Sequence, residues 1–153
     1  MPLPPNSTLA TIWWLKTVDG LPVDQIGTTL PKTRDGHVNL DPWVEHGFIQ
    51  VNPTGGAPMT DIPVGEPVMG ITCWAAHPNS KKPQWGRANG LASLVIQATY
   101  EHRYLGRVAL PDPYYDVRVF SAYPTTEPVP VEHDEAHAVA FRFDLAVRWV
   151  VAP

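Results

Sequence analysis

Residues His137 to Val151 read HAVAFRFDLAVRWVV and constrain the fold more than any other stretch. Val139, Phe141, Phe143, Leu145, Val147 and Trp149 recur at every second position, with Ala138, Ala140, Arg142, Asp144, Ala146 and Arg148 between them. Period two is the mark of a strand that buries one face. At about 3.3 Å per residue the run would extend on the order of 45 Å, against the usual five or six residues of a strand. It is therefore expected to cross a whole sheet or project beyond it. The apolar row needs a helix to face, which leaves Arg142, Asp144 and Arg148 for solvent, a lumen or a neighbouring subunit.

A helix of the right kind is predicted from Gln84 to about Tyr104. Trp85, Ala88, Leu91, Ala92, Val95, Ile96, Thr99 and Tyr100 form its apolar stripe. A first helix is expected from about Thr8 to Val18, capped by Asn6 or Ser7 and ended near Gly20, with Leu9, Ile12, Trp13 and Lys16 at three-and-four spacing. Trp13 and Trp14 point in different directions there, so either Trp14 is a second core anchor or it stands at a subunit contact.

Strands are predicted at Gly47–Asn52, closed by the turn cluster Pro53-Thr54-Gly55-Gly56, and at Val68–Ala76, whose continuous apolar run suits burial on both faces. Leu21–Pro31 reads as a short extended segment. Lys32–His46, Ala57–Pro67 and Leu105–Asp116 read as loops or irregular chain. Val117–Val131 begins as a strand and becomes a proline-spaced arm from Pro124 on, because Pro124, Pro128 and Pro130 exclude a central strand. With the last run it makes an antiparallel pair whose tip is expected to protrude. The order helix, strands, helix, strands implies an α+β domain: a mostly antiparallel sheet with two helices on one face, plus proline-rich loops or arms.

The length of 153 residues fits a single domain, 1–153. Charged residues are 17% of the chain, below the typical ~25% of a soluble domain, so part of the surface is expected to be covered by a partner. The net charge of −4 carries no basic footprint for sequence-specific DNA binding. The lone Cys73 lies in an apolar run and reads as core. The start MPLPPNST lacks the features of a signal peptide, and no apolar run approaches the ~18 residues of a membrane span.

No motif specifies catalysis. His133, Glu135 and His137 would share one side of an extended chain and could make a weak metal site, but the spacing is not the His-Glu-x-x-His of a helical zinc site. A small metal-dependent hydrolase centred there is the reading from a different class, and a monomeric ligand-binding domain is a third. Ser121 has no His/Asp partner pattern or Gly-x-Ser-x-Gly elbow, and Gly55-Gly56 is a turn pair without the rest of a phosphate loop. The chain is expected not to be an enzyme and to need no cofactor or metal. Arg142, Asp144 and Arg148 ordinarily form a solvated face whose ion pairs contribute little. Trp43, Tyr114, Tyr115 and Tyr123 lie in predicted loops or arms and are candidate interface anchors, with Glu127 beside them.

Several segments together resemble tail terminator proteins of long-tailed phages, especially those of actinobacterial hosts: MPLPPNST before a Trp-bearing helix, GFIQV with its Gly-Gly cluster, VMGITCWA, PQWGRANGLA, and the pair FSAYPTTEPVPV and AFRFDLAVRWV. The resemblance covers nearly the whole chain. It implies a homohexameric ring on the head-proximal end of the tail tube that stops tube growth and presents a surface to head-completion or connector proteins. The implied partners are further copies of itself, the tail tube protein and those neck proteins, with genomic DNA passing the lumen without specific binding and no membrane contact. The implied location is the head–tail junction of a virion; a head-completion protein of the neck is the neighbouring alternative. The tip of the final strand pair and the loop Leu105–Asp116 are then the expected reaching elements, and Arg87, Arg103 and Arg107 are not expected to dominate the lumen.

Overall fold

A computed structural model describes residues 2–57, 64–133 and 137–153. In chain order these form α1 (Ser7–Leu15), β1 (Ile26–Gly27), β2 (Phe48–Ala57), β3 (Val64–Ala76), α2 (Trp85–Ala98), a 3-10 turn (His102–Tyr104), β4 (Gly106–Val108), β5 (Asp116–Pro124), β6 (Val129–Glu132) and β7 (Ala138–Ala152). One sheet runs β1-β2-β3-β7-β5-β4, with β6 also paired to β7. β1 joins β2 in parallel, and the other pairings are antiparallel. The α+β architecture expected from the pattern is the one observed.

β7 is the spine of the sheet. β3 flanks one side of it from Ala138 to Val150. The other side is shared, β5 pairing with Leu145–Ala152 and β6 with Val139–Arg142. Between them the chain loops out, pinned where Thr125 N donates to Asp144 O and Asp144 N donates to Thr126 Oγ1, each at 2.8 Å. The proline-spaced arm is thus a docked, interrupted edge strand. The connection between β6 and β7, where a protruding tip was expected, includes residues outside the described set.

Alternation on β7 follows the sequence. Phe143, Leu145, Val147 and Trp149 are buried, while Arg148 is exposed and Arg142 and Asp144 are half-buried. The buried row meets Ile49 and Val51 of β2, Met69, Ile71 and Cys73 of β3, and Leu91, Ala92 and Val95 of α2 in one core, which Trp14 and Leu15 of α1 complete. Both helices therefore lie on one face, and the Trp85 ring meets Phe141 edge-on at 5.7 Å.

The helices depart from the sequence reading in extent and facing. α1 has Asn6 as its N-cap, Oδ1 accepting from Leu9 N at 2.7 Å, but it buries Ala10, Thr11, Trp14 and Leu15 rather than the stripe through Leu9, Trp13 and Lys16. A tertiary bond sets the rotation: Trp14 Nε1 donates to Tyr104 O at 2.8 Å. Trp14 is the core anchor, and Trp13 stays half-exposed beneath the Lys16 ammonium. α2 stops at Ala98 and not near Tyr104. Thr99 Oγ1 folds back on Ile96 O at 2.6 Å, and the chain turns so that Arg103 meets Glu101 and Asp19.

The cluster Pro53–Gly56 does not turn the chain. β2 continues to Ala57 with a bulge between Pro53 and Gly55, and Gly56 still pairs with Pro67. Gly56 has φ +101, and a Cβ there would lie 2.4 Å from Glu66 O and 2.6 Å from Pro67 Cα. β3 starts at Val64, so the far end of the segment read as irregular is strand, and residues 58–63 lie outside the described set.

Lys32–His46 is not a free loop either. Lys32 bridges Val38, and Leu30 and Trp43 pack with Phe48, Trp74, Ala76, Ala138 and Ala140 in a second core on the face opposite the helices. Leu105–Asp116 likewise contains β4, which pairs with β5.

Candidate assembly surface

The second core covers only one end of the helix-free face. Beyond it the registers build a ladder of side chains that runs from the buried Thr72 out to the exposed Glu66 and Arg148. One rung sets Gln50, Thr72, Arg142 and Val129 side by side, the next Asn52, Gly70 and Asp144, the next Gly55, Val68, Ala146 and Tyr123, and the last Glu66, Arg148 and Ser121.

Charge on this ladder is paired within the subunit. Arg142 Nη2 lies 3.2 Å from Asp144 Oδ1, and Arg148 Nε lies 3.3 Å from Glu66 Oε1. Gly70 makes the first pair possible, because a Cβ there would meet Arg142 Nη2 at 2.8 Å. The guanidinium therefore lies close beside Gly70 of β3. The Arg148–Glu66 pair is open to water, where such a contact contributes only about 0–1 kcal/mol, whereas Asp144 Oδ1, the oxygen facing Arg142, is buried; together the pairs give a face with alternating charge and little net potential. Between Glu66, Val68, Ser121, Tyr123, Thr125 and Arg148 the face dips into a hollow of about 380 Å³. Tyr123 stands at its rim, 57% exposed.

Of the residues singled out from the sequence, Tyr123, Arg142, Asp144 and Arg148 come together on this face. Glu127 is exposed in the connection between β5 and β6 that is pinned over Asp144. Tyr114 and Tyr115 lie elsewhere, at the β4–β5 end, where Leu3 N donates to Pro113 O and Tyr115 N to Leu3 O. Trp43 is 1% exposed inside the second core, so it is an anchor of the fold and not an exposed contact residue. Glu66, Ser121 and Gly70 were missed as site residues. Glu66 fell in a stretch read as irregular, and its partnership with Arg148 depends on a register between strands far apart in the chain.

The histidine cluster lies partly outside the described residues. Glu135 lies outside the described residues, His133 stacks edge-on against Trp74 at 5.8 Å, and no group of three or more His, Cys, Asp or Glu side chains is placed to hold a metal ion among the described residues. Arg103 and Arg107 are held by carboxylates, Arg103 by Glu101 and Asp19 and Arg107 by Asp116. Leu110 N and the Arg107 guanidinium donate to Asp116 and hold its carboxyl below the usual carboxylate range. Burial pushes the Cys73 thiol up to about 12. No described helix is long and apolar enough to cross a membrane.

The fold defines a class: a mixed, mostly antiparallel sheet with both helices on one side and a partly open opposite face. No family model matches the chain, and no curated protein does. Among solved structures it is similar to a chain from the virion of a native gene transfer agent particle, at 14% identity and a TM-score of 0.49, covering 94% of each chain.

Proposed function

We propose that this chain is a structural component of a phage-like virion, a tail terminator that works by assembly and not by chemistry. In this reading, copies form a ring, a homohexamer, on the head-proximal end of the tail tube. The ring ends tube polymerisation and offers a surface to the head-completion or connector proteins. One observation carries the reading. Apart from the N-terminal segment, the segments that resemble tail terminators are one physical unit: GFIQV opens β2, VMGITCWA is most of β3, PQWGRANGLA is the start of α2, and the last two segments are β5–β6 and β7. The resemblance thus follows the sheet and the helix laid on it, the parts that set the shape of a subunit.

The open face supports the same reading. Its arginines are already matched by carboxylates, so it would offer passing DNA little of the phosphate attraction that grows with each unpaired cation. Copies in a closed ring need two different complementary surfaces. The hollow at Tyr123 and Arg148, with the Thr125–Pro128 connection beside it, supplies a shaped surface for one of them.

Electron microscopy of the particle neck, with this chain located in it, tests the proposal. A ring of copies capping the tube is the expected result. Location on the portal side of the neck would assign the chain to head completion instead, and its absence from the particle would overturn the proposal.

A further inference from the structure

Three stretches along the margins of the sheet have no strand beside them among the described residues, and each carries a proline at a position that leaves no donor to offer. Among the described residues, β2 has no strand on its outer side past Gln50, β5 none past Val119, and β6 none along Val129–Glu132. Pro53, Pro124 and Pro130 lie in these three stretches. Backbone N–H groups alternate between the two sides of a strand, so the backbone bonds near each proline fix its direction. Ile49 N points outward, donating to Gln25 O at 2.9 Å, which makes the slot at Pro53 outward too. Thr125 N points inward to Asp144 O at 2.8 Å, so the slot at Pro124 is outward; His133 N points inward to Ala138 O at 3.1 Å, so the slot at Pro130 is outward.

Each proline thus removes a donor from the side where another chain would add, without costing the sheet a ladder bond. Bulges reinforce two of the edges, one between Pro53 and Gly55 and one between Val119 and Ser121, and a bulge twists an edge away from a flat partner. The need for such protection is visible on β5 and β6, where Phe120, Tyr123 and Val129 are 47%, 57% and 51% exposed. An open backbone edge beside exposed apolar side chains is the combination that templates uncontrolled pairing.

We propose that Pro53, Pro124 and Pro130 are edge guards that stop copies of this chain from joining by backbone pairing, so that copies meet only through side-chain surfaces. The inference goes beyond the ring reading and holds equally for a lone subunit. The test compares wild type with the double variant Pro124→Val and Pro130→Val, which restores both outward N–H groups, and with Pro124→Lys and Pro130→Lys, which restores them but adds charge. Masses are followed by sedimentation velocity over a wide concentration range, with near-UV circular dichroism reporting the native tryptophan environment.

The valine variant is expected to at least double in mass with concentration while keeping its native near-UV signal, and the lysine variant to stay at the mass of wild type. A valine variant with unchanged mass would overturn the proposal, as would one that grows only as its native signal is lost. A second measurement stands apart from any variant: in wild type the outward amides of Ala122 and Glu132 are expected to exchange rapidly in whatever oligomer forms, and their protection there would overturn the proposal.

Discussion

The neighbouring glycines of Pro53-Thr54-Gly55-Gly56 offer a sharp test, because one alanine substitution should be nearly harmless and the next should not. Gly56 holds φ +101, a backbone region that costs an L-residue roughly 1–2 kcal/mol. Its new Cβ would also meet only backbone, namely Glu66 O at 2.4 Å and Pro67 Cα and Val68 N at 2.6 Å. Backbone cannot rotate aside, so β2 and β3 must separate locally, at a further cost of about 1–3 kcal/mol by analogy with overpacked cores. Restricting the unfolded chain returns only about 0.4–1 kcal/mol, so Gly56→Ala should destabilise by roughly 2–4 kcal/mol. Gly55 has neither feature: its φ is not positive, and nothing lies within 4 Å of its Cβ position. Gly55→Ala should fall between neutral and about 1 kcal/mol more stable. Urea unfolding decides the matter. With a slope of about 2 kcal/mol per molar, Gly56→Ala should lower the midpoint by roughly 1–2 M while Gly55→Ala leaves it in place or raises it. Equal losses at both positions would refute the bulged strand and restore a turn in which both glycines are needed.

Three further outcomes follow from the packing and charges. Phe143→Ala, at a fully buried site on the helix face, should cost about 3–5 kcal/mol in the same assay, whereas Arg148→Ala on the other face, whose pair with Glu66 is exposed, should cost no more than about 1 kcal/mol; similar losses would contradict the assignment of faces. The folded-state pKa of Asp116 is depressed below its unfolded value, so its contribution is present above the ordinary carboxylate range and lost as pH falls through the folded pKa. Asp116→Asn should accordingly flatten the acid limb of the stability curve, measured as melting temperature against pH, and an unchanged limb would count against that carboxylate. With its thiol pushed up to about 12, Cys73 should resist a thiol reagent at pH 8 in the native protein and react at once in denaturant; fast native labelling would show that the site opens readily.

What could be read from the sequence was whatever depends on local period. The β7 alternation and the two-sided burial of β3 each concern neighbours in one element and emerged with the right face inward, as did the α2 stripe from Ala88 to Val95; Tyr100, read as part of that stripe, lies beyond the helix and is 73% exposed. What could not be read was decided by contacts between distant residues. Trp14 rather than Trp13 faces the core because a carbonyl at Tyr104 waits for an indole N–H, and no spacing within residues 7–15 carries that information. Trp43 directly follows a stretch of turn-forming residues, KTRDGHVNLDP, that hides its role as cover for the second core. On the candidate surface, Arg142, Asp144 and Arg148 were legible as an outward row, but Glu66 becomes their neighbour only through the β3–β7 register. Gly70 looked like part of an apolar run until a guanidinium was found lying over it.

The second core also divides the sheet mechanically. Around Phe48, Trp74 and Ala140 the sheet is clamped between side chains on both sides, so water reaches those strands only if a whole layer lifts. Past Gly70 and Asp144 that layer ends among the described residues, and the exposed Arg148–Glu66 pair lies there. Strain imposed from outside will not spread evenly along β7; it will concentrate where the clamp ends. A chain built this way has a stiff end that keeps its shape and a more compliant end beyond the clamp.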